Sequence, residues 1–462
     1  MGERKSGKRP SHAQARRHGE KRPAAGAAAG PFRRRRERFL EEIGGGVAVL
    51  CSAPELIKSR DTEIRYRQDS DFFYLTGFPE PGVAVLTPHD GEHRFTLFVR
   101  PRDPERETWN GPRAGVDGAR ERFGADAAYP LEELEAKLKE LLEPAAAIWY
   151  ALGSDEAMDR RLTGWIREWR LRRARTGAGP SDVMDPAGVL DAMRVVKEPC
   201  EAEALRRACA LSAEAHRAAM RAARPGVGEW ELANVLNAAI HAAGPDCAPA
   251  YPTIVGSGAN ATVLHYTLNH RRAEDGDLVL IDAGAERAMY CGDITRTFPV
   301  NGRFTPPQRA VYEAVLRAEE AAIALARPGV TVAEIHDAAK VELARGMVEL
   351  GLLEGDPAEL AQGDGVKRFY MHQTSHWLGL DVHDAGDYRA RGGDWLPLRP
   401  GMVFTVEPGI YVPADAEGVP EALRGIGVRI EDDVLVTEDG CEVLTRGVPV
   451  DPDEIERLVG TD

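Results

Sequence analysis

Four carboxylates and one imidazole in the C-terminal half of the chain could together hold a pair of divalent cations. Each lies in a short apolar or glycine-bracketed segment, where an unpaired charge costs free energy unless a cation neutralises it. The five residues are Asp282, Asp293, His376, Glu407 and Glu431. An oxygen-rich set with one imidazole favours hard ions such as Mn²⁺, Mg²⁺ or Co²⁺ over a thiolate zinc site. The set predicts a two-metal centre suited to hydrolysis.

The two aspartates are expected to face each other in a β-hairpin. An apolar strand over residues 278–281 ends in Asp282, and Asp293 closes the return strand over 289–293. With the turn at residues 287–288, antiparallel counting pairs the two aspartates, whose Cβ atoms would then lie about 4.5–5.5 Å apart. Repulsion would leave one of them protonated, whereas a bound cation keeps both ionised. The alternative is a pair of exposed hairpin aspartates.

The two glutamates lie on later strands. Glu407 comes directly after the apolar segment 402–406 and before a Pro-Gly pair. Arg429 and Glu431 share one face of the strand 427–431, because side chains repeat every two residues along a strand. The other face of that strand is apolar and is predicted to be buried. The face with Arg429 and Glu431 is either a polar cleft or a surface ion pair, and the sequence leaves both open.

Four histidines fall within the segments that flank these carboxylates, namely His265, His372, His376 and His383. Imidazoles beyond the single ligand suit proton transfer and stabilisation of an oxyanion. The spacing of His372 and His376 could place two ligands on one helical turn, but the glutamate of the HExxH motif is missing, which argues against a zincin. The chain also lacks a GxSxG segment, so a serine hydrolase has little support.

Length and charge limit the possible classes of protein. A chain of 462 residues exceeds one ordinary core, so two or more domains are expected. The formal charge is −15, but residues 1–36 carry 12 Lys/Arg and 2 Asp/Glu, a charge of +10, which leaves −25 for the remainder. An acidic body disfavours nucleic acid as its partner. The basic segment 1–36, rich in Gly, Ala and Pro, is predicted to be a disordered tail.

The sequence also carries signals about its compartment. No apolar run reaches the roughly 18–20 residues that span a bilayer, so no membrane association is expected. The basic N-terminus has no apolar segment typical of a secretory signal. The six cysteines are scattered and form no CxxC pair, which argues against a disulfide scaffold. We therefore expect a cytoplasmic protein.

The fold class is predicted to be α/β in the broad sense that includes α+β. Mixed α/β structure is predicted for residues 37–180, ending in an Arg-, Gly- and Pro-rich linker over 170–180, and a second domain is predicted for 181–462. Within the second domain the segment RPGV occurs at 224–227 and again at 327–330. Each copy lies between two helical segments, and strands with candidate ligands follow. This pattern predicts a duplicated αα–ββ unit with the site at a pseudo-twofold interface.

Several of these segments resemble the motifs of the pita-bread metallopeptidases. They are IDAG (281–284), GDITRT (292–297), SHWLG (375–379), TVEPG (405–409) and IGVRIED (426–432). Two further segments, YRQDSDFFYLTGF (66–78) and 251–257 together with His265, resemble bacterial Xaa-Pro aminopeptidases, also called aminopeptidase P. The resemblance runs from residue 36 to the end. It implies a C-terminal pita-bread domain with an internal pseudo-twofold repeat, preceded by a smaller, mixed α/β creatinase-like domain.

The resemblance implies two divalent ions per chain. The implied metal is Mn²⁺, with Co²⁺, Zn²⁺ and Mg²⁺ as alternatives. Asp282 would bind one ion. Asp293 and Glu431 would bridge both ions. His376 and Glu407 would complete the second position, and Glu407 would also act as a general base toward a bridging hydroxide nucleophile.

The same resemblance assigns roles to residues around the metals. The residues that would position substrate and donate to the oxyanion or to the leaving nitrogen are His265, His372 and His383. Arg429 would orient the centre from beside Glu431. Tyr411 and Trp109 would contact substrate, and Trp109 would reach the cleft of a neighbouring subunit.

The implied reaction removes the N-terminal residue from a peptide with proline in second position. The scissile nitrogen is then a tertiary amide without an N–H, so its departure needs a well-placed acid, which surplus histidines could supply. Members of the family form homodimers or homotetramers.

Four alternatives share the fold. A prolidase, which cleaves Xaa-Pro dipeptides, has the same ligands and differs in how far the cleft opens beyond proline. A methionine aminopeptidase would lack a large N-terminal domain of this kind. A creatinase-like amidinohydrolase would lack the metals. A non-catalytic binding module would lack one or more ligands, whereas this chain has all five.

Overall fold

The structure, a computed structural model, describes residues 25–88 and 93–461, with side chains from residue 30 onward. These residues form two compact units. The first comprises residues 25–40, 45–88, 93–146 and 160–181. The second comprises residues 41–44, 147–159 and 182–461, and it contains all five predicted metal ligands.

The first unit combines a small sheet with short helices, which confirms the mixed α/β prediction for this region. Its helices are α1 (Ala25–Ile43), α2 (Ser70–Thr76), α3 (Pro104–Asn110), α4 (Gly115–Phe123), α5 (Leu134–Leu142) and α6 (Glu156–Thr176). Its strands are β1 (Val47–Cys51), β2 (Ile57–Ser59), β3 (Thr62–Glu63), β4 (Gly82–Leu86), β5 (Phe95–Val99) and β6 (Ala127–Pro130). Strand β4 lies between β1 and β5 as an antiparallel neighbour of both, and β6 joins β5 in parallel.

The predicted tail boundary at residue 36 is wrong for residues 25–36, which belong to helix α1. Arg36 is buried rather than solvated. Its guanidinium donates to the Leu75 carbonyl at 2.9 Å and lies over the Phe95 ring, 3.9 Å from the ring centroid. Carbonyl hydrogen bonds and an aromatic face offset the cost of desolvating an arginine. The expectation for residues 1–24 lies outside the described residues.

The predicted linker over residues 170–180 is also wrong in part, because helix α6 continues to Thr176. Trp165 and Trp169 are buried on one side of this helix, with ring centroids 6.3 Å apart. Burial of these two large aromatic side chains stabilises the helix, including its arginine-rich last turns. The arginines therefore mark the solvated side of a helix.

The second unit contains the remaining elements. Its helices are α7 (Ala187–Arg194), α8 (Pro199–Ala222), α9 (Glu229–Ala242), α10 (Pro306–Leu325), α11 (Val332–Glu349), α12 (Pro357–Gln362) and α13 (Pro452–Leu458). Its strands are β7 (Ala147–Trp149), β8 (Asp182–Met184), β9 (Cys247–Pro249), β10 (Ile254–Ser257), β11 (Leu278–Asp282), β12 (Ala285–Arg287), β13 (Tyr290–Cys291), β14 (Thr295–Pro299), β15 (Val403–Val406), β16 (Gly409–Tyr411), β17 (Gly427–Arg429), β18 (Asp432–Val436) and β19 (Cys441–Val443). Within the described ranges, no helix combines the length and apolarity of a membrane span.

The internal repeat is visible in the backbone hydrogen bonds of the two RPGV turns. In the turn between α8 and α9, Gly226 donates to the Ala273 carbonyl, and Ala273 donates back to the next turn residue. In the turn between α10 and α11, Gly329 donates to the Leu398 carbonyl, and Leu398 donates back to Val330. Both glycines have positive φ angles, 86° and 89°, which few other residues tolerate. The predicted duplication is confirmed.

Each half of the repeat contributes a three-stranded antiparallel sheet. The first half has the order β10-β11-β14, and the second has the order β15-β18-β19. An apolar core that includes Leu236, Ile281 and Val311 covers the first sheet. A second core that includes Ile335, Phe404 and Val434 covers the second sheet. The strands of the two sheets are therefore held rigidly by separate cores, and the predicted ligands come from both halves.

The predicted pairing of the two aspartates is wrong by two positions, because Asp282 on β11 faces Thr295 on β14. The turn lies at Ala288 and Met289, one residue later than expected, and both have positive φ, 51° and 76°. A two-residue turn of this kind usually carries Asn or Gly, so these residues gave no sequence signal for it. Asp293 lies two residues before Thr295, so the side chains of both residues lie on the same face of the hairpin.

Candidate metal centre

A single cavity in the second unit brings the five predicted ligands together. It has a volume of about 1190 Å³, and all five line its wall. Three of the other predicted site residues, His265, His372 and His383, also line it, as does Arg429. We call Asp282, Asp293, His376, Glu407 and Glu431 the carboxylate cluster.

The first half of the repeat supplies the two aspartates. Strand β11 ends at Asp282, and the chain re-enters the sheet after Asp293, so both carboxylates project into the cavity. The Tyr251 hydroxyl lies 2.7 Å from Asp282 Oδ1 and also contacts Asp293 Oδ1. Asp293 N–H donates to Asp433 Oδ2 at 2.9 Å. One phenol proton thus serves two carboxylates, which leaves their repulsion only partly relieved.

The second half supplies His376 and Glu407. Backbone pairing of residues 374–376 with β15 places them side by side, because Thr405 N–H donates to the His376 carbonyl and Glu407 N–H donates to the Thr374 carbonyl. His376 Nε2 lies 3.5 Å from Asp293 Oδ2 and 3.7 Å from Glu407 Oε1. The imidazole therefore contacts a carboxylate from each half of the repeat.

Glu431 joins the two halves. Its N–H donates to the Thr295 carbonyl at 3.1 Å, and the Thr295 hydroxyl donates to Glu431 Oε2 at 2.6 Å. One ligand atom from each of Asp293, His376 and Glu431 can be chosen so that all three atoms lie within 4.8 Å of one another. This distance suits donors around a shared ion. Asp282 and Glu407 line the same cavity.

The Arg429 guanidinium contacts a side chain of this cluster. It donates to Asp282 Oδ2 at 2.6 Å and to the Thr295 hydroxyl at 3.0 Å. Arg429 and Glu431 are only 3% and 2% exposed. The surface ion pair that the sequence left open is therefore excluded, and this strand face is a buried polar cleft.

Burial without enough positive charge raises the pKa values of Asp282, Glu407 and Glu431. Burial raises the pKa of Glu407 to about 7, against the opposing effects of His376 and Arg429. Burial and then the Asp293 carboxylate hold the pKa of Glu431 well above its usual range. Burial also raises the pKa of Asp282, although Arg429 opposes it. The protein alone thus penalises ionisation of three of the four carboxyl groups.

The ligand imidazole shows the converse effect. Burial lowers the pKa of His376, but the carboxylates of Asp293 and Glu407 outweigh burial and raise it to about 9. When the His376 imidazole is protonated, it contributes one positive charge to the cluster. A metal ion would replace that proton, since a ligating imidazole is neutral.

The residues present fit divalent cations. The donors are carboxylate oxygens and one imidazole nitrogen, which hard or borderline divalent ions prefer. The Arg429 guanidinium offsets one of four negative charges, which leaves three for bound cations to offset if all four groups are to stay ionised. Asp293, His376 and Glu431 could hold an ion jointly, with Asp282 and Glu407 as further donors.

His372 has a fixed tautomer. Its Nδ1–H donates to the Gln373 carbonyl at 2.8 Å, so Nε2 accepts from the Tyr411 hydroxyl, also at 2.8 Å. Burial, assisted by Arg429, lowers the pKa of His372 to about 4, and the ring is therefore neutral near pH 7. Tyr411 is buried beside His372 and Arg429 and does not line the cavity wall.

The other predicted site residues lie in different environments. His265 and His383 are exposed at the cavity. The His383 ring meets the His376 ring edge-on, with centroids 4.2 Å apart, and burial followed by His376 lowers the pKa of His383. Trp109 is on α3 in the first unit, is 81% exposed and does not line the cavity.

Three functional candidates were missed by sequence reasoning. Tyr251 contacts two aspartates, and the segment 251–257 already resembled a family motif, so a signal for it existed. Thr295 contacts Glu431 and Arg429 from within the GDITRT segment. His336 on α11 lines the cavity and bonds through Nδ1 to the Thr374 hydroxyl at 2.7 Å, but no local motif marks it.

The chain belongs to metallopeptidase family M24. Residues 203–438, more than half of the chain, match the model of that family. Residues 32–149 match the model of the aminopeptidase P N-terminal domain. The recognition made from the sequence motifs is confirmed.

Relatives across nearly the whole chain narrow the class to Xaa-Pro aminopeptidases. The Xaa-Pro aminopeptidase of Escherichia coli K12 is 44% identical over 432 residues, which cover 93% of this chain and 97% of the relative. The structure of Pseudomonas aeruginosa aminopeptidase PepP matches with a TM-score of 0.90 and 48% identity, covering 93% of this chain and 97% of that one. Zinc-substituted E. coli aminopeptidase P in complex with product matches with a TM-score of 0.89 and 43% identity, covering 93% and 98%.

Proposed function

We propose that this chain is a metal-dependent aminopeptidase that releases the N-terminal residue from peptides with proline in second position. The carboxylate cluster, gathered in one cavity of an M24 fold, is the observation that carries the proposal. The relatives named Xaa-Pro aminopeptidase span nearly all of the chain and support this specificity. The intact ligand set disfavours a non-catalytic binding module and an amidinohydrolase without metals.

The proposed ions are two per chain, and Mn²⁺ is the proposed metal, with Co²⁺, Zn²⁺ or Mg²⁺ as substitutes. Asp282 would hold one ion, and Asp293 with Glu431 would bridge both. His376 and Glu407 would hold the second ion. The bound ions would supply Lewis-acid polarisation of the scissile carbonyl and a water of lowered pKa.

Glu407 and His372 would manage protons at the centre. Glu407 Oε2 lies 3.6 Å from His372 Nδ1, and the Glu407 carboxylate faces the cavity, so it can accept a proton from the attacking water. His372, held neutral by burial, lies beside Glu407 without introducing a competing positive charge. The Tyr411 hydroxyl donates to His372 Nε2, and Arg429 in turn donates to that hydroxyl, so the ring orientation is fixed.

The exposed histidines would act on the substrate. The nitrogen before proline in the scissile bond carries no hydrogen, so cleavage requires that an acid protonate it. His265 and His383 project into the cavity from opposite halves of the repeat. In this proposal both histidines contact the proline, and one of them delivers the proton to its nitrogen.

A peptide longer than a dipeptide suits the size of the cavity. Its volume of about 1190 Å³ exceeds the roughly 300–1,000 Å³ of pockets that enclose a drug-sized ligand. A prolidase needs room only for Xaa-Pro. The spacious cavity thus favours release of the first residue from longer peptides, in agreement with the names of the relatives.

We further propose a cytoplasmic homodimer or homotetramer with a domain division near residue 180. The six cysteines are scattered along the sequence and form no CxxC pair, which suits a reducing compartment. Trp109 exposes 81% of its surface, which suits a residue that contacts a neighbouring subunit. The two family models match on either side of the proposed division.

A peptide panel tests the proposal. The metal-free protein would be reloaded with Mn²⁺, Co²⁺ or Zn²⁺ and given Xaa-Pro-Yaa tripeptides, Xaa-Pro dipeptides and Xaa-Ala-Yaa tripeptides. We expect cleavage of the first set, with little cleavage of the other two. Preference for the dipeptides would establish a prolidase, and equal cleavage of the alanine peptides would refute proline specificity.

A further inference from the structure

A second buried group of charges lies outside the carboxylate cluster. Asp384 accepts from Arg194 Nη2 at 2.6 Å and from Lys197 Nζ at 3.1 Å. The side chains of Arg194, Lys197 and Asp384 are only 5%, 1% and 2% exposed. We call these three residues the ion-pair cluster. Arg194 also donates to Asp381 at 2.7 Å, which fixes a second point of the same loop.

The ion-pair cluster holds the loop that carries His383. Asp384 directly follows this histidine, and its N–H donates to the Trp377 carbonyl at 2.9 Å. Its Oδ1 accepts from Asp381 N–H at 3.2 Å, which closes the loop on itself. The backbone on both sides of His383 is therefore fixed through one carboxylate.

The same loop is packed too tightly to adopt another path. A Cβ atom on Gly379 would lie 2.1 Å from Asp384 Oδ2 and 3.1 Å from Lys197 Cε. The Gly379 carbonyl accepts from Cys291 N–H at 2.9 Å, and Cys291 lies two residues before Asp293. The loop is thus joined to the hairpin that supplies the first metal ligands.

The cationic partners are joined to the second group of ligands. Lys197 N–H donates to the Gly401 carbonyl at 2.8 Å, and Val196 forms an antiparallel bridge with Met402. This segment leads directly into β15, which ends before Glu407. The ion-pair cluster therefore links the backbone of the His383 loop to the strand that positions Glu407.

We propose that Lys197 and Arg194 are positioning residues that act through Asp384 to hold His383 at the substrate end of the cavity. The inference rests on the proposed function, because His383 is assigned there to the substrate. The buried ion pairs fix where the His383 backbone lies relative to Glu407. They leave its ring free to contact the proline. The hydrogen bonds described above join both cations to Asp384, which is not a proposed metal ligand.

The test compares Lys197→Met with the wild-type enzyme loaded with Mn²⁺. Arg194 still neutralises Asp384 in this variant, so the fold should survive. We expect kcat/KM for an Xaa-Pro-Yaa peptide to fall about 10- to 100-fold, as when a group that orients substrate shifts by about 1 Å. Bound metal should not change. Lys197→Arg should recover most of the activity, and Asp384→Asn should repeat the loss.

A double-mutant cycle separates positioning from general destabilisation. If Lys197 acts through His383, Lys197→Met should cost less than about twofold in a His383→Ala background, because the two changes remove the same contribution. Arg317→Met, which breaks the surface pair with Glu349 between α10 and α11, is the matched control and should leave kcat/KM unchanged. Full additivity of Lys197→Met and His383→Ala would overturn the proposal.

A chemical readout keeps this inference apart from the proposed function. The rate at which diethyl pyrocarbonate modifies His383, measured by peptide mass spectrometry, does not depend on any peptidase activity. We expect faster modification in Lys197→Met, since the His383 ring would leave its contact with His376. An unchanged rate would contradict positioning. A raised rate in a protein without Xaa-Pro activity would refute the proposed function alone.

Discussion

The carboxylate cluster and the ion-pair cluster are both buried in the same unit, but they are neutralised differently. In the ion-pair cluster, two cationic side chains contact Asp384, and although burial opposes them, Lys197 and Arg194 lower its pKa. In the carboxylate cluster, burial raises the pKa of Glu407 to about 7 and holds that of Glu431 well above its usual range. Similar burial therefore shifts carboxyl pKa values in opposite directions.

The difference teaches which cluster is complete in the polypeptide. A buried carboxylate that contacts two cationic side chains of the same polypeptide needs no further positive charge. The ion-pair cluster is therefore part of the scaffold. A group of four carboxylates with one guanidinium is short of positive charge, so the carboxylate cluster is completed by a ligand. Breaking each cluster should therefore have a different consequence: loss of metal in one case and loss of stability in the other.

The largest expected effect is on the shared ligands. Asp293→Ala and Glu431→Ala should abolish both metal occupancy and turnover, because each removes a donor that the proposed ions share. Activity should fall by more than the roughly 10–100-fold that removal of a supporting partner typically costs. Metal content after dialysis and peptidase activity would be measured together. Full activity in either variant after thorough metal removal would refute the ligand assignment.

Asp384→Ala should act on stability. It leaves Arg194 and Lys197 buried without their shared partner, which costs about 3–5 kcal/mol in the free energy of unfolding. Denaturant unfolding of the metal-loaded protein would measure this loss. Glu349→Ala, which breaks an exposed pair with Arg317, is the control and should cost about 0–1 kcal/mol. Equal losses in the two variants would show that burial of the ion-pair cluster has no energetic significance.

Arg429→Met should have an intermediate effect on the carboxylate cluster. Its guanidinium contacts Asp282 and the Thr295 hydroxyl, and so orients groups that face the metals. Loss of such a supporting partner typically lowers metal affinity or activity about 10- to 100-fold. A metal titration and kcat/KM would both be followed. If both remain at the wild-type level, Arg429 has no role in orienting the centre.

The smallest effect is a pH dependence of the metal-free protein. The folded-state pKa of Glu407, about 7, exceeds the value of about 4.3 expected for the unfolded chain. The stability that this group contributes is complete below the unfolded pKa and is lost as the pH rises through 7. His376, with a pKa of about 9, acts in the same direction. The Tm of the metal-free protein should therefore fall from about pH 4.3 to pH 7 because of Glu407, and from about pH 6.5 to pH 9 because of His376.

Metal should remove this dependence, since bound cations keep the carboxylates ionised. Asp384 does not contribute in this range, because its pKa is lowered and its contribution is lost only in acid, as the pH falls through its folded-state value. Glu407→Gln is the control variant and should reduce the fall in Tm of the metal-free protein below about pH 7. A Tm with the same pH dependence in the presence and absence of Mn²⁺ would contradict the charge argument.

Sequence reasoning succeeded where local pattern determines structure. The apolar runs before Asp282 and Glu407 form strands β11 and β15, and the two RPGV segments form matching turns. It failed where tertiary contacts decide. The turn at Ala288 and Met289 contains no favoured turn residue, so the hairpin register was predicted incorrectly.

Long-range partners explain the other failures. The buried arginine of α1 depends on an aromatic ring and a carbonyl far along the chain. The ion-pair cluster joins Asp384 to Lys197, which is 187 residues away in sequence, so no local motif could reveal it. His336 reaches the cavity from α11, an amphipathic helix. The sequence pattern of such a helix indicates only which of its faces packs against the core.

Metal stoichiometry tests the central claim most directly. Metal-free protein would be titrated with Mn²⁺ near pH 7.5, and native mass spectrometry would count the ions on each chain while thermal unfolding is followed in parallel. We predict two ions per chain and a rise in Tm as they bind, with neither seen in Glu431→Ala. Saturation at one ion or none, or binding that leaves the Tm unchanged, would contradict the account.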